Sequence, residues 1–155
     1  MVKLLSFRGQ TLIETLAALA IISIVISAIA TSVTSSLSNA TFNQSQTLAT
    51  KYAQQGTELI TQIRDEGYTT FKGDSGIYCL GQNATSLGNA QANCSVPNFG
   101  QFIRSVLIQQ NGCAANVSKV TITVAFTDGK CQAGLYCHNE TDTSCLSTIS
   151  PVQAP

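Results

Sequence analysis

A long apolar run near the N-terminus is the strongest pattern in the chain. From Leu12 to Val33 about 22 residues are almost all apolar, and at about 1.5 Å per helical residue they can cross a hydrocarbon core of about 30 Å. The run contains no Pro or Gly, and its Ser and Thr side chains can bond back to helix carbonyls. The pattern therefore predicts a transmembrane helix.

The residues after the run predict that this helix continues well past the membrane. Residues 34–50 are mostly polar, and apolar side chains then recur at helical spacing. We expect this stripe to be the surface against which a C-terminal domain packs. The helix should end at residues 64–67, with Gly67 as its C-cap. The stripe consists of Leu48, Tyr52, Leu59, Ile60 and Ile63.

The second half of the chain is predicted to combine loops with strands. Residues 67–100 are rich in Gly and Asn and should be loop-like. Phe99–Gln109 is a predicted strand. Val117–Thr127 is a second, because apolar residues and threonines alternate along it with a period of two, as in a half-buried strand.

The chain after these strands should complete a small antiparallel sheet. Asp128-Gly129 is a tight-turn signal, Gln132–His138 is a candidate return strand, and Leu146–Ile149 is a candidate last short strand. The predicted fold class is therefore α+β, with a long N-terminal helix packed on a small antiparallel sheet that disulfides brace.

Charge indicates which side of the membrane each end occupies. Lys3 and Arg8 precede the apolar run and no acidic residue does, which favours a cytoplasmic N-terminus and an external C-terminus. Glu14 places a carboxylate at the start of the run, where burying a charge is costly, so it suggests a function and a positive partner. Charged residues make up only 10% of the chain and cancel, which gives no indication of nucleic-acid binding.

The residues at the start of the run, Arg8-Gly9-Gln10-Thr11-Leu12-Ile13-Glu14, resemble those of type IV pilin and pseudopilin precursors. Those precursors carry a short basic leader that ends in Gly, followed by a mature N-terminus of the form x-T-L-I-E and an apolar helix. Gly9 matches the last leader residue, and Gln10 matches the first mature residue, where the family usually has Phe. The resemblance implies cleavage between Gly9 and Gln10, in a family whose new terminus is N-methylated.

The second half also resembles this family, and specifically the PilV-like or GspI-like minor pilins. The matching segments are Phe102–Val106, Val120–Gly129 and Leu146–Thr148, in that order. The residue pattern and the two resemblances together divide the chain into a prepilin leader (1–9), a transmembrane and assembly half of the helix (10–37), a soluble half of the helix (38–66) and a C-terminal globular domain (67–155).

The resemblance implies a structural subunit, a minor pilin or pseudopilin, rather than an enzyme. Its expected partners are other pilin subunits, a prepilin peptidase, an inner-membrane assembly platform and, before assembly, the lipid bilayer; no cofactor is expected. The carboxylate of Glu14 would pair with the N-terminal amine of a neighbouring subunit. The protein would be single-pass in the membrane and then part of a cell-surface or periplasmic filament. A membrane-anchored binding or adhesion module that never polymerises is the alternative.

Six cysteines all lie after residue 78, and in an exported domain an even number predicts disulfides rather than metal ligands. Of about fifteen possible connectivities, the simplest is sequential pairing, which closes short loops and gives Cys79–Cys94, Cys113–Cys131 and Cys137–Cys145. A zinc site around His138 lacks any C-x₂-C pair.

Other candidate sites have weaker sequence support. Ser144, His138 and Asp142 could be drawn as a hydrolase triad, but no G-x-S-x-G elbow accompanies them. Asn139, Glu140 and Asp142 more simply form a polar loop than a Ca²⁺ site. Six of the nine Asn residues begin an N-x-Ser/Thr sequon, which leaves glycosylation and a merely Ser/Thr-rich surface both open.

Overall fold

A computed structural model describes residues 10–132 and 135–148. The chain divides into two compact units, Met1–Thr41 and Phe42–Pro155. The predicted α+β class is confirmed, and the predicted leader at residues 1–9 lies outside the described residues. The elements in order are helices α1 (Gln10–Glu66) and α2 (Tyr68–Phe71), then strands β1 (Gly76–Cys79), β2 (Ile103–Ala114), β3 (Val117–Phe126) and β4 (His138–Ser147).

Helix α1 confirms the helix predicted from the apolar run and its continuation. Its hydroxyl side chains bond to the preceding turn, as Thr15 does to the carbonyl of Leu12 at 2.9 Å and Ser27 to that of Ser23 at 2.8 Å. The helix ends at Glu66, but Gly67 does not take the left-handed conformation of a typical C-cap glycine. The short helix α2 follows at once and carries Phe71 into the core, where it is 1% exposed.

The sheet has four antiparallel strands in the order β1-β2-β3-β4. Strand β3 confirms the predicted strand. Strand β2 begins at Ile103 rather than Phe99, because Phe99 and Phe102 bond to each other across a turn in which Gly100 has a φ of 60°. Strand β1 lies inside the segment that was predicted to be loop, and it pairs with the first half of β2.

Strand β4 corrects two predictions. Of the described residues in the predicted return strand Gln132–His138, only His138 lies in a strand. The predicted last strand is the end of β4 at Leu146 and Ser147, and Ile149 lies outside the described residues. The inward positions of β4 are mostly polar, so this ten-residue strand lacks the apolar alternation that revealed β3.

The inward acids of β4 are satisfied by the soluble part of α1. Gln46 Nε2 donates to Glu140 Oε1 at 3.0 Å, and Thr57 Oγ1 donates to Asp142 Oδ2 at 2.6 Å. The Gln46–Glu140 bond is exposed, whereas the Thr57–Asp142 bond is partly buried, where an unpaired polar group would be costly. The contact between α1 and the edge strand β4 therefore includes hydrogen bonds as well as apolar packing.

The core lies between the soluble part of α1 and one face of the sheet, as the sequence stripe predicted. Ile60 is fully buried, and the other four stripe residues are partly buried and pack on the core. Alternate residues of β3 supply the opposite side. These are Val120, Ile122, Val124 and Phe126, each at most 2% exposed.

Gly56 lies where α1 approaches the sheet closely. A Cβ atom built there would lie 2.9 Å from Ile122 Cδ1, 3.0 Å from Ile122 Cγ2 and 3.4 Å from Arg104 Cδ. Ile122 is fully buried, so its side chain has no open space into which it could retreat. The short distance between the helix backbone and Ile122 therefore requires a glycine at position 56, although glycine has a low helix propensity.

Arg104, on β2, ties three segments together from inside the core. It is 2% exposed, and its guanidinium donates to the carbonyls of Leu80 at 3.3 Å, Gly81 at 2.7 Å and Tyr52 at 3.5 Å. The guanidinium carbon also lies 4.3 Å above the ring of Phe99. Burial lowers the pKa of Arg104 from its ordinary value. Arg104 thus links the loop after β1 to both the sheet and α1, because its guanidinium donates to backbone carbonyls of the loop and of the helix.

Gly56→Val tests the close approach. A branched side chain would overpack the contact with Ile122, so we expect the free energy of unfolding to fall by about 1–3 kcal/mol. Guanidinium titration of the full-length protein in detergent, followed by tyrosine fluorescence, measures this, because all four Tyr lie after residue 51. Gln54→Val, at an exposed position of the same helix, is the matched control and should lose about 0.5 kcal/mol or less. Equal losses in the two variants would contradict the packing argument.

Candidate functional site

The N-terminal part of α1 contains the residues on which the sequence-based hypothesis depends. Gly9 lies outside the described residues, and Gln10 is the first residue of the helix. Glu14 follows one turn later, on an exposed part of the helix. It is the one charged residue between positions 10 and 50 of the sequence. Among the residues whose side chains the structure describes, none forms an ion pair or hydrogen bond with the Glu14 carboxylate.

The helix around Glu14 is apolar on all sides. Twelve large apolar side chains between Leu12 and Leu37 are each at least 50% exposed, and they include the consecutive residues 24–26, which face three directions. Among the described residues α1 is the one helix long and apolar enough to cross a membrane, judged by length and composition. A helix that is apolar all round needs a surrounding of lipid or of other apolar helices.

The six cysteines form three disulfides, and the structure gives a pairing that differs from the sequential one. Cys79–Cys94 is paired as predicted. The other two predicted pairs, Cys113–Cys131 and Cys137–Cys145, are wrong, because the structure has Cys113–Cys145 and Cys131–Cys137. None of the six cysteines is free.

The register of the sheet explains why Cys113 pairs with Cys145 rather than with Cys131. The β2–β3 register shifts between Gln109 and Ala114, and Cys113 lies in the shifted part. Cys145 is opposite Lys119 on the other side of β3, and its Cα is 6.1 Å from that of Cys113. The bridge therefore spans β3, and this juxtaposition requires β4 to run back along β3.

A cluster of ligand-type side chains lies where the loop after β3 leads into β4. The backbone N–H groups of Lys130 and Cys131 donate to Asp128 Oδ1 at 2.9 and 3.1 Å. Desolvation acts to raise the pKa of Asp128, but those N–H groups and the neighbouring His138 ring outweigh it, so the pKa lies below its ordinary value. Asp128 Oδ1 lies 3.3 Å from Nε2 of His138.

The weaker candidates of the sequence analysis do not come together. Ser144 and His138 are six positions apart on one strand, or about 20 Å at roughly 3.3 Å per residue, so they cannot form a triad with Asp142. Asn139 lies on the opposite face of β4 from Glu140 and Asp142, whose carboxylates accept from α1.

The sequence analysis missed a cavity of about 440 Å³ beside the end of α1. Ile63, Phe71 and Leu87 form its apolar part, and Glu66 and Asp74 contribute carboxylates. Burial raises the pKa of Asp74. The cavity combines a helix end with residues of the loop before β2, and no local sequence signal reports that combination.

The three disulfides close loops of very different length, which predicts a stability order. In the chain-entropy model the sequence separations of 6, 15 and 32 correspond to about 2, 3 and 4 kcal/mol. Replacing both cysteines of a pair by Ser should therefore cost least for Cys131–Cys137 and most for Cys113–Cys145. Guanidinium titration of the three double variants measures the order. A largest loss for the 131–137 pair would contradict it.

Comparison with known proteins supports the interpretation of the N-terminal segment. A family model described as the prokaryotic N-terminal methylation motif matches residues 5–30. No curated protein and no solved structure matches the chain. The matched residues include Gly9, Gln10 and Glu14, so the chain carries a prokaryotic N-terminal methylation motif at the start of an exposed apolar helix.

Proposed function

We propose that this chain is a structural subunit, a minor pilin or pseudopilin, of a type IV pilus-like filament. The subunit is cleaved between Gly9 and Gln10 and is a single-pass membrane protein before assembly. It enters the filament through the first half of α1. The C-terminal domain is then displayed at the cell surface or in the periplasm. The observation that carries the proposal is a lone carboxylate, Glu14, in an apolar helix that begins within a methylation motif.

The apolar helix supports assembly because it needs a second apolar environment after it leaves the lipid. Twelve large side chains in this part of the chain lack a covering in the monomer. A bundle of identical helices can replace the bilayer without exposing this surface to water. The same exposed helix also suits a plain anchor, so exposure alone does not favour a filament.

Glu14 is the feature that favours a filament over a plain anchor. A buried carboxylate without a partner costs several kcal/mol, whereas a paired one costs much less. No Lys, Arg or His occurs between residues 10 and 50, so a cation at this depth must come from outside that segment. Cleavage before Gln10 creates an amine at the right end of the helix. A neighbour offset along a fibre can bring that amine to Glu14.

The C-terminal domain supports a role in display. Three disulfides and the buried Arg104 cluster brace a domain with a small core, as suits a module outside the cell. The partner subunits are other pilins, the processing enzyme is a prepilin peptidase, and insertion and extraction use an inner-membrane assembly platform. The alternative, a membrane-anchored binding module that does not polymerise, requires neither cleavage nor Glu14.

Cleavage is tested by Gly9→Val. The β-branched side chain should crowd a site that accepts glycine, so we expect the membrane fraction to accumulate protein that still begins at Met1. Intact-mass spectrometry distinguishes this from wild-type protein that begins at Gln10, and it also detects a methyl group there. Ser6→Val, within the same leader, is the control and should be processed. Wild-type protein that keeps residues 1–9 would contradict the proposal.

Assembly is tested by Glu14→Ala. The amine of an incoming subunit would be buried without a counter-charge, a penalty of several kcal/mol, so filament-associated protein should fall at least about tenfold. The membrane-bound fraction should be unchanged, because loss of a charge makes the helix more apolar. Fractionation of sheared filaments and membranes, with immunoblotting, measures both.

Two further variants make the Glu14 test specific. Glu14→Gln restores a hydrogen bond without the charge and should be intermediate at best. Glu58→Ala removes an exposed acid from the soluble part of the same helix and should assemble normally. Normal incorporation of Glu14→Ala would remove the main physical argument for a polymerising subunit and favour the plain anchor.

A further inference from the structure

We propose that Asp128, Cys131, Cys137 and His138 form a zinc site when the Cys131–Cys137 disulfide is reduced. In the oxidised protein the two sulfurs are bonded to each other, and the site is closed. The disulfide and the metal ion are therefore alternative ways of holding the same loop. The proposal concerns the C-terminal domain and does not depend on filament assembly.

The first support is the spacing of the ligand atoms. The four side chains each offer one ligand atom, and these atoms all lie within 4.8 Å of one another. Tetrahedral zinc with Zn–S near 2.3 Å and Zn–N near 2.0 Å needs separations of about 3.3–3.8 Å between ligand atoms. Small movements within one loop are enough to reach that geometry. Two thiolates, one imidazole and one carboxylate are also ligand types that zinc accepts.

The second support is an unsatisfied nitrogen. Nε2 of His138 is buried and has no hydrogen-bond partner among the described residues. Its contact with Asp128 Oδ1 at 3.3 Å lacks hydrogen-bond geometry. A buried imidazole nitrogen that faces a carboxylate without hydrogen-bond geometry is unusual, and an ion bound between the two groups would use both as ligands.

The third support is that the imidazole and the carboxylate are already held in place. The ring of His138 stacks on Phe126 with centroids 5.3 Å apart, and the edge contact with Phe42 is 4.9 Å. Asp128 accepts from the N–H groups of Lys130 and Cys131. Ligands fixed by neighbours lose little freedom when an ion binds, which favours affinity.

Opening the site requires two electrons. A dithiol reductant transfers two electrons and two protons to the Cys131–Cys137 bond, which becomes two thiols while the reductant becomes a disulfide. Zinc then binds the two thiolates, and two protons leave to solvent. In the bound state the two sulfurs stand about 3.7 Å apart.

This bridge is the one that the domain can best open. Its loop is the shortest of the three, with a sequence separation of 6, so its loss costs least in the chain-entropy model. It also joins two loop residues just before β4, whereas Cys113–Cys145 joins two strands. Reduction of the 131–137 bond therefore leaves the sheet register intact.

The test is a Co²⁺ titration of the full-length protein in detergent, with Zn²⁺ as competitor. After reduction by a phosphine, the protein should bind one Co²⁺ and show the charge-transfer and visible bands of thiolate-bound tetrahedral cobalt. One equivalent of Zn²⁺ should remove these bands. The oxidised protein should show none of them. Zn²⁺ should also slow the return of the Cys131–Cys137 disulfide in air, as measured by thiol trapping.

Matched variants assign the site. Cys113→Ser/Cys145→Ser keeps all four ligands and should keep the bands, whereas Cys131→Ser/Cys137→Ser should lose them. His138→Gln should weaken Co²⁺ binding at least about tenfold. Bands that survive in Cys131→Ser/Cys137→Ser, or binding that is indifferent to His138→Gln, would overturn the proposal. A reduced protein that binds no Co²⁺, whether circular dichroism shows it folded or unfolded, would overturn it as well.

Discussion

The contact between Gly56 and Ile122 is the constraint on which the C-terminal unit depends. It brings the backbone of α1 so close to the sheet that a single Cβ atom would collide with a fully buried side chain. At this separation Thr57 reaches Asp142, and the Tyr52 carbonyl reaches the guanidinium of Arg104. A helix held further from the sheet would leave these polar groups unpaired, which is more costly than a loss of apolar contact alone.

The domain compensates for a small core with long-range connections. Arg104 satisfies carbonyls of two segments that are distant in sequence, and the three disulfides close the long loop before β2, the β2–β4 span and the loop before β4. Small exported domains generally rely on such covalent links. In this protein the same links also place ligand-type side chains next to one another, which is how the pair at 131 and 137 comes to border His138.

The N-terminal helix has the opposite physical character. From Leu12 to Leu37 its large apolar side chains are exposed in the monomer, and Glu14, the one charged residue in that part, lacks a partner among the described side chains. Such a segment is satisfied only by surroundings that the chain itself does not supply. That dependence is the physical reason for proposing a subunit of a larger assembly, and the methylation motif at residues 5–30 agrees with it.

The sequence by itself determined the elements whose signals are local. The apolar run without helix breakers specified α1, the alternation in Val117–Thr127 specified β3, and the even number of cysteines specified disulfides. The segment Gly9–Glu14 also contains both features on which the proposed function depends, the proposed cleavage site and the carboxylate of Glu14.

Only the tertiary structure decided the features whose causes lie far away in sequence. Strand β1 has four residues and exists because β2 offers it an edge. Strand β4 turns acids inward because α1 supplies donors to them, so its pattern looked like a loop. The Cys113–Cys145 pairing follows from β4 returning along β3. The Cys131–Cys137 pairing then places both sulfurs beside Asp128 and His138. In each case the deciding partner is distant along the chain, and a local pattern carries no information about it.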